Sequence, residues 1–168
     1  DLGIPILGIC YGDQLLAYMA GGMVAGAENA GEYGKTPLYV TDSILFRDVP
    51  QESICWMSHR DEVTELPKGF RTIASTGTCG IAAIGDDVRG LYGVQFHPEV
   101  THSEFGTEVL SAFVYGSCGC SGSWKMSSYV ETTVKELIMQ KGKLKEIKTV
   151  QVKFEGRNLV EIEGTEKN

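Results

Sequence analysis

The segment Gly8-Ile9-Cys10-Tyr11-Gly12 sets a cysteine between two glycines, each two positions away. That frame allows the sharp strand-to-helix turn of a nucleophile elbow. The glycines matter because a side chain in such a strained turn would collide with the neighbouring strand or helix. The turn holds a sulfur at the carboxyl edge of a sheet, beside a helix N-terminus whose dipole favours thiolate over thiol. A cysteine nucleophile needs a base, and the base needs an orienting group. The sequence has three histidines, His59, His97 and His102. His97 directly follows the apolar run at residues 91–96, the end of a parallel strand that reaches the same edge as Cys10. Pro98 fixes the backbone beyond it, and Glu99 stands two residues on, able to turn its carboxylate back toward the imidazole. His102 reads as the start of the next helix. Cys55 and Cys79, inside or beside strands, read as buried, inert thiols. Cys118-Gly119-Cys120 is the only close cysteine pair. The second ligand pair of a structural zinc site is missing, so no metal is expected there.

The elements that must position these groups follow from pattern. Residues 3–10 are almost wholly apolar and bounded by glycine, as suits a strand buried on both faces. Residues 13–20 have a helical pattern with Leu15, Leu16 and Met19 apolar, stopped by Gly21-Gly22. Shorter strands are expected around 38–41, 54–57, 70–75 and 81–84, punctuated by Pro37, Pro50, Pro67 and glycines. A further strand covers 91–96, and a helix covers 103–115 with Ser103 as N-cap and Glu104 in its first turn. Small residues fill 117–123. An amphipathic helix follows at 127–141, with Val130, Val134, Leu137 and Ile138 on one side. The end alternates, with Val150, Val152 and Phe154 and then Leu159, Val160 and Ile162 around Glu155-Gly156-Arg157-Asn158, a hairpin pattern.

The chain has 168 residues, 42% of them apolar, 22% charged and 9% aromatic, which is globular composition. No run of about eighteen apolar residues occurs, which excludes a transmembrane helix. A net charge of −7, with fifteen Lys and Arg scattered among acids, argues against a nucleic-acid partner. Five cysteines form no secreted disulfide framework, so a reducing cytoplasm is expected.

Gly8-Ile-Cys-Tyr-Gly-Asp-Gln14 together with His97-Pro-Glu99 resembles the signature of class I glutamine amidotransferases, which release ammonia from glutamine with a Cys-His-Glu triad. The resemblance narrows to the glutaminase part of GMP synthetases through several further segments. These are Glu32-Tyr-Gly34, Trp56-Met-Ser-His-Arg-Asp-Glu-Val63, Ile81-Ala-Ala-Ile84, residues 92–102, and Cys118-Gly-Cys120 with Gly122 and Trp124. It implies an α/β fold with a flavodoxin-like open sheet, mostly parallel, here lacking the N-terminal βα units. The implied domains are an N-terminally incomplete glutaminase domain at 1–124, a connecting helix at 125–143, and an unassigned tail with the hairpin pattern at 144–168.

The resemblance further implies Cys10 as nucleophile, His97 as base and then acid, and Glu99 as orienter. The Tyr11 backbone N–H would be one oxyanion donor, and Gln14 would help hold the substrate amide. Ser58, His59, Arg60 and Asp61 match the segment laid against the amino-acid end of glutamine, with His59 either in contact or supporting the loop. The family usually has Gly where Arg60 stands. A Gly-Gly-Pro loop supplying a second oxyanion donor is absent from the sequence, as is the Ser-Gly-Gly-x-Asp-Ser loop of an ATP pyrophosphatase domain. The implied partners are therefore glutamine and a synthetase domain or subunit that makes GMP from XMP. The glutaminase half-reaction needs no cofactor, whereas the synthetase uses ATP and Mg. Two other readings stand beside this one: a non-catalytic or truncated module that only binds a synthetase, and another class I amidotransferase or γ-glutamyl hydrolase.

Overall fold

The computed structural model describes residues 2–27, 31–140, 147–155 and 158–166, with side chains described for 2–27, 31–127 and 129–135. The chain divides into two compact units, residues 1–122 and 123–168.

In the first unit, Ile6–Ile9 (β1) passes through a tight turn into helix Tyr11–Met19 (α1). Strands Met23–Gly26 (β2), Glu32–Val40 (β3), Glu52–His59 (β4), Asp61–Glu65 (β5), Arg71–Ser75 (β6), Ala83–Asp86 (β7) and Leu91–Val94 (β8) follow in chain order. Six of the strands form one sheet in the order β1-β8-β7-β6-β3-β4, and β2 pairs with β5 in a separate two-stranded sheet. Among the described strands only β1 and β8 run parallel, with Gly8 opposite Gly93 and Ile9 opposite Val94. The other pairings of the large sheet are antiparallel. The sheet is therefore mixed, and its parallel share is smaller than the resemblance implied. The physical reason is local. Each of β7 and β8 returns directly alongside its predecessor through a short connection, which permits only antiparallel pairing.

Core residues pack on both faces of the sheet, although the outer face of β3 is exposed at Tyr33 and Tyr39. On one, Leu38, Met57, Ile73, Tyr92, Val94 and Phe96 pack with Leu45 and Phe46 from a 3-10 turn (Ile44–Phe46) and with Val109 of helix Gly106–Ser111 (α2). On the other, Ala17 of α1 packs with Val63, Phe70 and Ile84. The strict alternation of β4, with Ser53, Cys55, Met57 and His59 buried, is what a strand with one core face requires.

Helix α2 begins later than its sequence pattern suggested. Its N-cap position is Phe105, without a side-chain cap, and the helix widens to π geometry over Ala112–Ser117. Ser103 is not the cap. Its hydroxyl donates to the His97 carbonyl at 2.6 Å and accepts from the Trp56 N–H at 3.1 Å. Glu104 likewise lies before the helix and accepts from the Ile54 N–H. His102 also precedes the helix and packs its ring on Trp56, centroids 4.7 Å apart.

In the second unit, helix Met126–Gln140 (α3) matches the amphipathic pattern, with the Trp124 and Tyr129 rings 6.4 Å apart. Lys141 and the side chains of Leu137 and Ile138 lie outside the described residues. Strands Ile147–Glu155 (β9) and Asn158–Glu166 (β10) pair antiparallel, in keeping with the hairpin pattern, and residues 144–146 and 156–157 lie outside the described residues. Among the described residues, no helix is long and apolar enough to cross a membrane.

Candidate active site

Cys10 occupies the turn between β1 and α1 with φ 51° and ψ −106°, the only non-glycine residue at positive φ among those described. Such backbone strain persists only where the surroundings over-determine it. Here the Cys10 N–H donates to the Val94 carbonyl of β8 at 2.8 Å, and the Cys10 carbonyl accepts from Asp13 and Gln14 in the first turn of α1. Gly8 makes the turn possible, since a Cβ there would lie 2.4 Å from the Gly12 carbonyl oxygen and 2.7 Å from the Asp13 nitrogen. Gly12 is different, because a Cβ on it meets nothing within 4 Å. The steric demand read into both glycines therefore falls on Gly8 alone. Gly8→Ala is expected to cost about 3 kcal/mol through backbone overpacking. Gly12→Ala should be tolerated, and urea unfolding of the two variants checks the contrast.

The Cys10 sulfur donates to the Ser58 carbonyl at 3.8 Å and accepts from Gln95 Nε2 at 3.6 Å. Burial pushes the Cys10 thiol up from its ordinary value, and the Tyr11 N–H and the Gln95 amide pull against it. Desolvation outweighs these two donors, and the resting group is a thiol that needs a base.

His97 stands three residues beyond the end of β8, the parallel neighbour of β1. Its N–H donates to the Trp56 carbonyl at 3.0 Å, while Cys10 reaches the carbonyl of Ser58 two residues further along β4. One strand end thereby fixes both residues. The His97 Nδ1 lies 2.7 Å from Glu99 Oε1. A carboxylate only accepts, so Nδ1 carries the proton and Nε2 keeps its lone pair, the tautomer a general base requires. Ser103 locks the His97 carbonyl, and Gly106 lets α2 approach Pro98, where a Cβ would come within 1.9 Å of the Pro98 oxygen. Among the described residues the sulfur's hydrogen bonds go elsewhere than His97, a looseness common in active sites without substrate.

The other sequence candidates divide. Tyr11 is placed with its N–H toward the sulfur. Gln14 spends both amide hydrogens on the protein, donating to the Asp61 carbonyl at 2.7 Å and to Gln95 Oε1 at 3.1 Å. Ser58, whose carbonyl meets the Cys10 sulfur, and Arg60 are both exposed, and the Arg60 carbonyl accepts from Ala27. His59 turns inward and is 4% exposed. Its Nδ1 meets the Asp61 carbonyl at 3.0 Å and its Nε2 meets Glu32 Oε2 at 3.4 Å. This arrangement supports the loop from beneath. Glu32 also accepts from the hydroxyls of Thr76 and Thr78.

Glu32, His59 and Cys79 bring donor atoms within 4.8 Å of one another, a set with metal-ligand chemistry. Each is already engaged: Glu32 by two threonines, His59 by Asp61, and the Cys79 thiol by Glu62. Cys55 and Cys79 are both in the core, as inert thiols should be, and Cys118 and Cys120 are exposed. Sequence reasoning missed Gln95 and Ser103 as parts of the site. A glutamine flanked by Val94 and Phe96 in an otherwise apolar run was the available signal for the first.

The model of the family described as glutamine amidotransferase class-I matches residues 1–116. A GMP synthase [glutamine-hydrolyzing] of Caldicellulosiruptor saccharolyticus is 54% identical over 138 residues, which is 82% of this chain and 27% of that protein. One from Clostridium botulinum is 51% identical over 143 residues, 84% of this chain and 28% of that protein. The chain thus spans about a quarter of the length of these curated relatives. Among solved structures, a GMP synthase subunit protein from Thermoplasma acidophilum superposes with a TM-score of 0.64. It is 36% identical, covering 77% of this chain and 61% of that one.

Proposed function

The chain belongs to the class I glutamine amidotransferase family, and we propose that it hydrolyses the side-chain amide of glutamine with Cys10, His97 and Glu99. The observation that carries this reading is the strained Cys10 turn on β1 set beside the His97–Glu99 pair after the parallel strand β8. In the proposed reaction, His97 Nε2 takes the Cys10 proton and the thiolate attacks the amide carbon. The resulting oxyanion accepts the Tyr11 N–H, and His97 returns the proton to nitrogen as the carbon–nitrogen bond breaks and ammonia leaves. Water, deprotonated by His97, then attacks the γ-glutamyl thioester. The carbon–sulfur bond breaks, the sulfur regains a proton, and glutamate departs. Glu99 holds the imidazole in its useful tautomer throughout and stabilises the imidazolium.

The GMP synthase relatives support a finer proposal, in which the ammonia passes to a synthetase domain or subunit in the cytoplasm that has activated XMP with ATP and Mg. The half-reaction on this chain uses side chains and backbone donors alone. In that arrangement α3 is the connection toward the synthetase.

The test is covalent capture. Incubation with 6-diazo-5-oxo-norleucine, a glutamine-like electrophile, is expected to add one analogue mass to the wild-type chain and none to Cys10→Ala. An unlabelled wild type, with or without a synthetase partner, would replace this reading with that of a non-catalytic module.

A further inference from the structure

Gln95 is fully buried, directly beyond the end of β8 and between two core residues, Val94 and Phe96. A buried amide left unpaired is expensive, so its two side-chain partners account for its presence. Those partners are Gln14 Nε2, 3.1 Å from its oxygen, and the Cys10 sulfur, 3.6 Å from its nitrogen. The orientation of the Gln95 amide is set from outside. The Asp61 backbone carbonyl can only accept, so the Gln14 atom 2.7 Å from it must be the NH2. That same NH2 faces Gln95 and must meet its oxygen, which leaves the Gln95 NH2 toward the sulfur. One backbone carbonyl thus fixes two amides in series.

We propose that Gln95 is a thiolate-stabilising residue whose N–H, aimed at Cys10 by the relay from the Asp61 carbonyl through Gln14, lowers the cost of the sulfur anion that forms when the thiol gives up its proton. The inference rests on Cys10 being the nucleophile. The burial that pushes the Cys10 thiol up is what such a donor offsets.

Alkylation by iodoacetamide as a function of pH, read by peptide mass, tests this without glutamine. Cys118 and Cys120 are exposed and serve as references, and Cys55 and Cys79 are buried and report any opening of the core. In Gln95→Met the midpoint for Cys10 should rise by about one pH unit, with about tenfold slower alkylation near neutrality, a shift of the size one hydrogen bond to a charged group produces. Gln95→Glu, which sets a carboxylate against the sulfur, should raise it further. The midpoints of Cys118 and Cys120 should not move. A Cys10 midpoint unchanged in Gln95→Met, with Cys55 and Cys79 still protected, overturns the proposal. Should Gln95→Met open the core, Gln14→Leu decides from a half-buried position. A raised midpoint there supports the relay, and an unchanged one refutes it. Because alkylation needs no glutaminase activity, a failed capture by the glutamine analogue leaves this outcome separately readable.

Discussion

His97→Asn is expected to lower glutamine hydrolysis about a thousandfold or more, measured as ammonia release at saturating glutamine. Asparagine can still donate to Glu99 from near the position of Nδ1, but it offers nothing at the position of Nε2 to take the proton from a thiol that burial keeps protonated. The companion variant Glu99→Gln isolates the tautomer. Glutamine can donate to Nδ1, which moves the imidazole proton to Nε2 and removes the lone pair that a general base needs. A loss on the order of a hundredfold to ten-thousandfold is expected there, with little change in thermal stability, since Glu99 is half exposed. Near-wild-type ammonia release from either variant would remove the His97–Glu99 pair from the mechanism. The variants also separate attack from binding. Fluorescence or calorimetric binding of glutamine should persist in both, because neither side chain belongs to residues 58–61, the segment expected to contact the amino-acid end of glutamine.

Much of this site could be read from residue types because its chemistry is local. A cysteine framed by Gly8 and a strand-ending His97 with Glu99 two positions on are short-range patterns, and the turn and the tautomer follow from them. What escaped the sequence depends on long-range choice. Ser103 has the composition of a helix cap, yet two partners, the His97 carbonyl and the Trp56 N–H, compete for it and win. The two-stranded sheet of β2 and β5 was illegible because Met23–Gly26 is short and glycine-ended, and Asp61–Glu65 presents only Val63 to the core. Strand direction was also hidden. An apolar run such as residues 81–84 suits either orientation, and the short connection to its neighbour decides it. Gln95 escaped because its role lies in partners 81 and 85 residues away.

The stability of the chain should fall as pH rises from about 4 to 8, and Asp13 is the reason. Its carboxyl sits in α1 with no exposure and no hydrogen-bond partner among the described residues, pressed so closely to β8 that a Cβ on Gly93 would come within 1.9 Å of Oδ1. Burial alone pushes its pKa from 3.8 up to about 8. The folded chain therefore keeps this proton across the interval in which the unfolded chain has lost it. More protons bound in the folded state means that unfolding becomes easier with every unit of rising pH, until the folded carboxyl ionises near 8. The full effect is on the order of 5 kcal/mol, large against a typical domain stability of about 5–15 kcal/mol. Asp13→Asn keeps the shape that the contact with Gly93 demands and cannot ionise. Urea unfolding of both forms at pH 5, 6, 7 and 8 should therefore show wild-type stability declining while the variant stays nearly level, so that the variant is the more stable chain at pH 8. Parallel pH profiles would mean that the carboxyl is solvated or paired on the timescale of unfolding. The same variant bears on the chemistry. A charge on Asp13 would oppose a thiolate on Cys10, so a carboxyl held neutral by burial removes one of the two acidic groups, Asp13 and Glu99, that act against the sulfur anion.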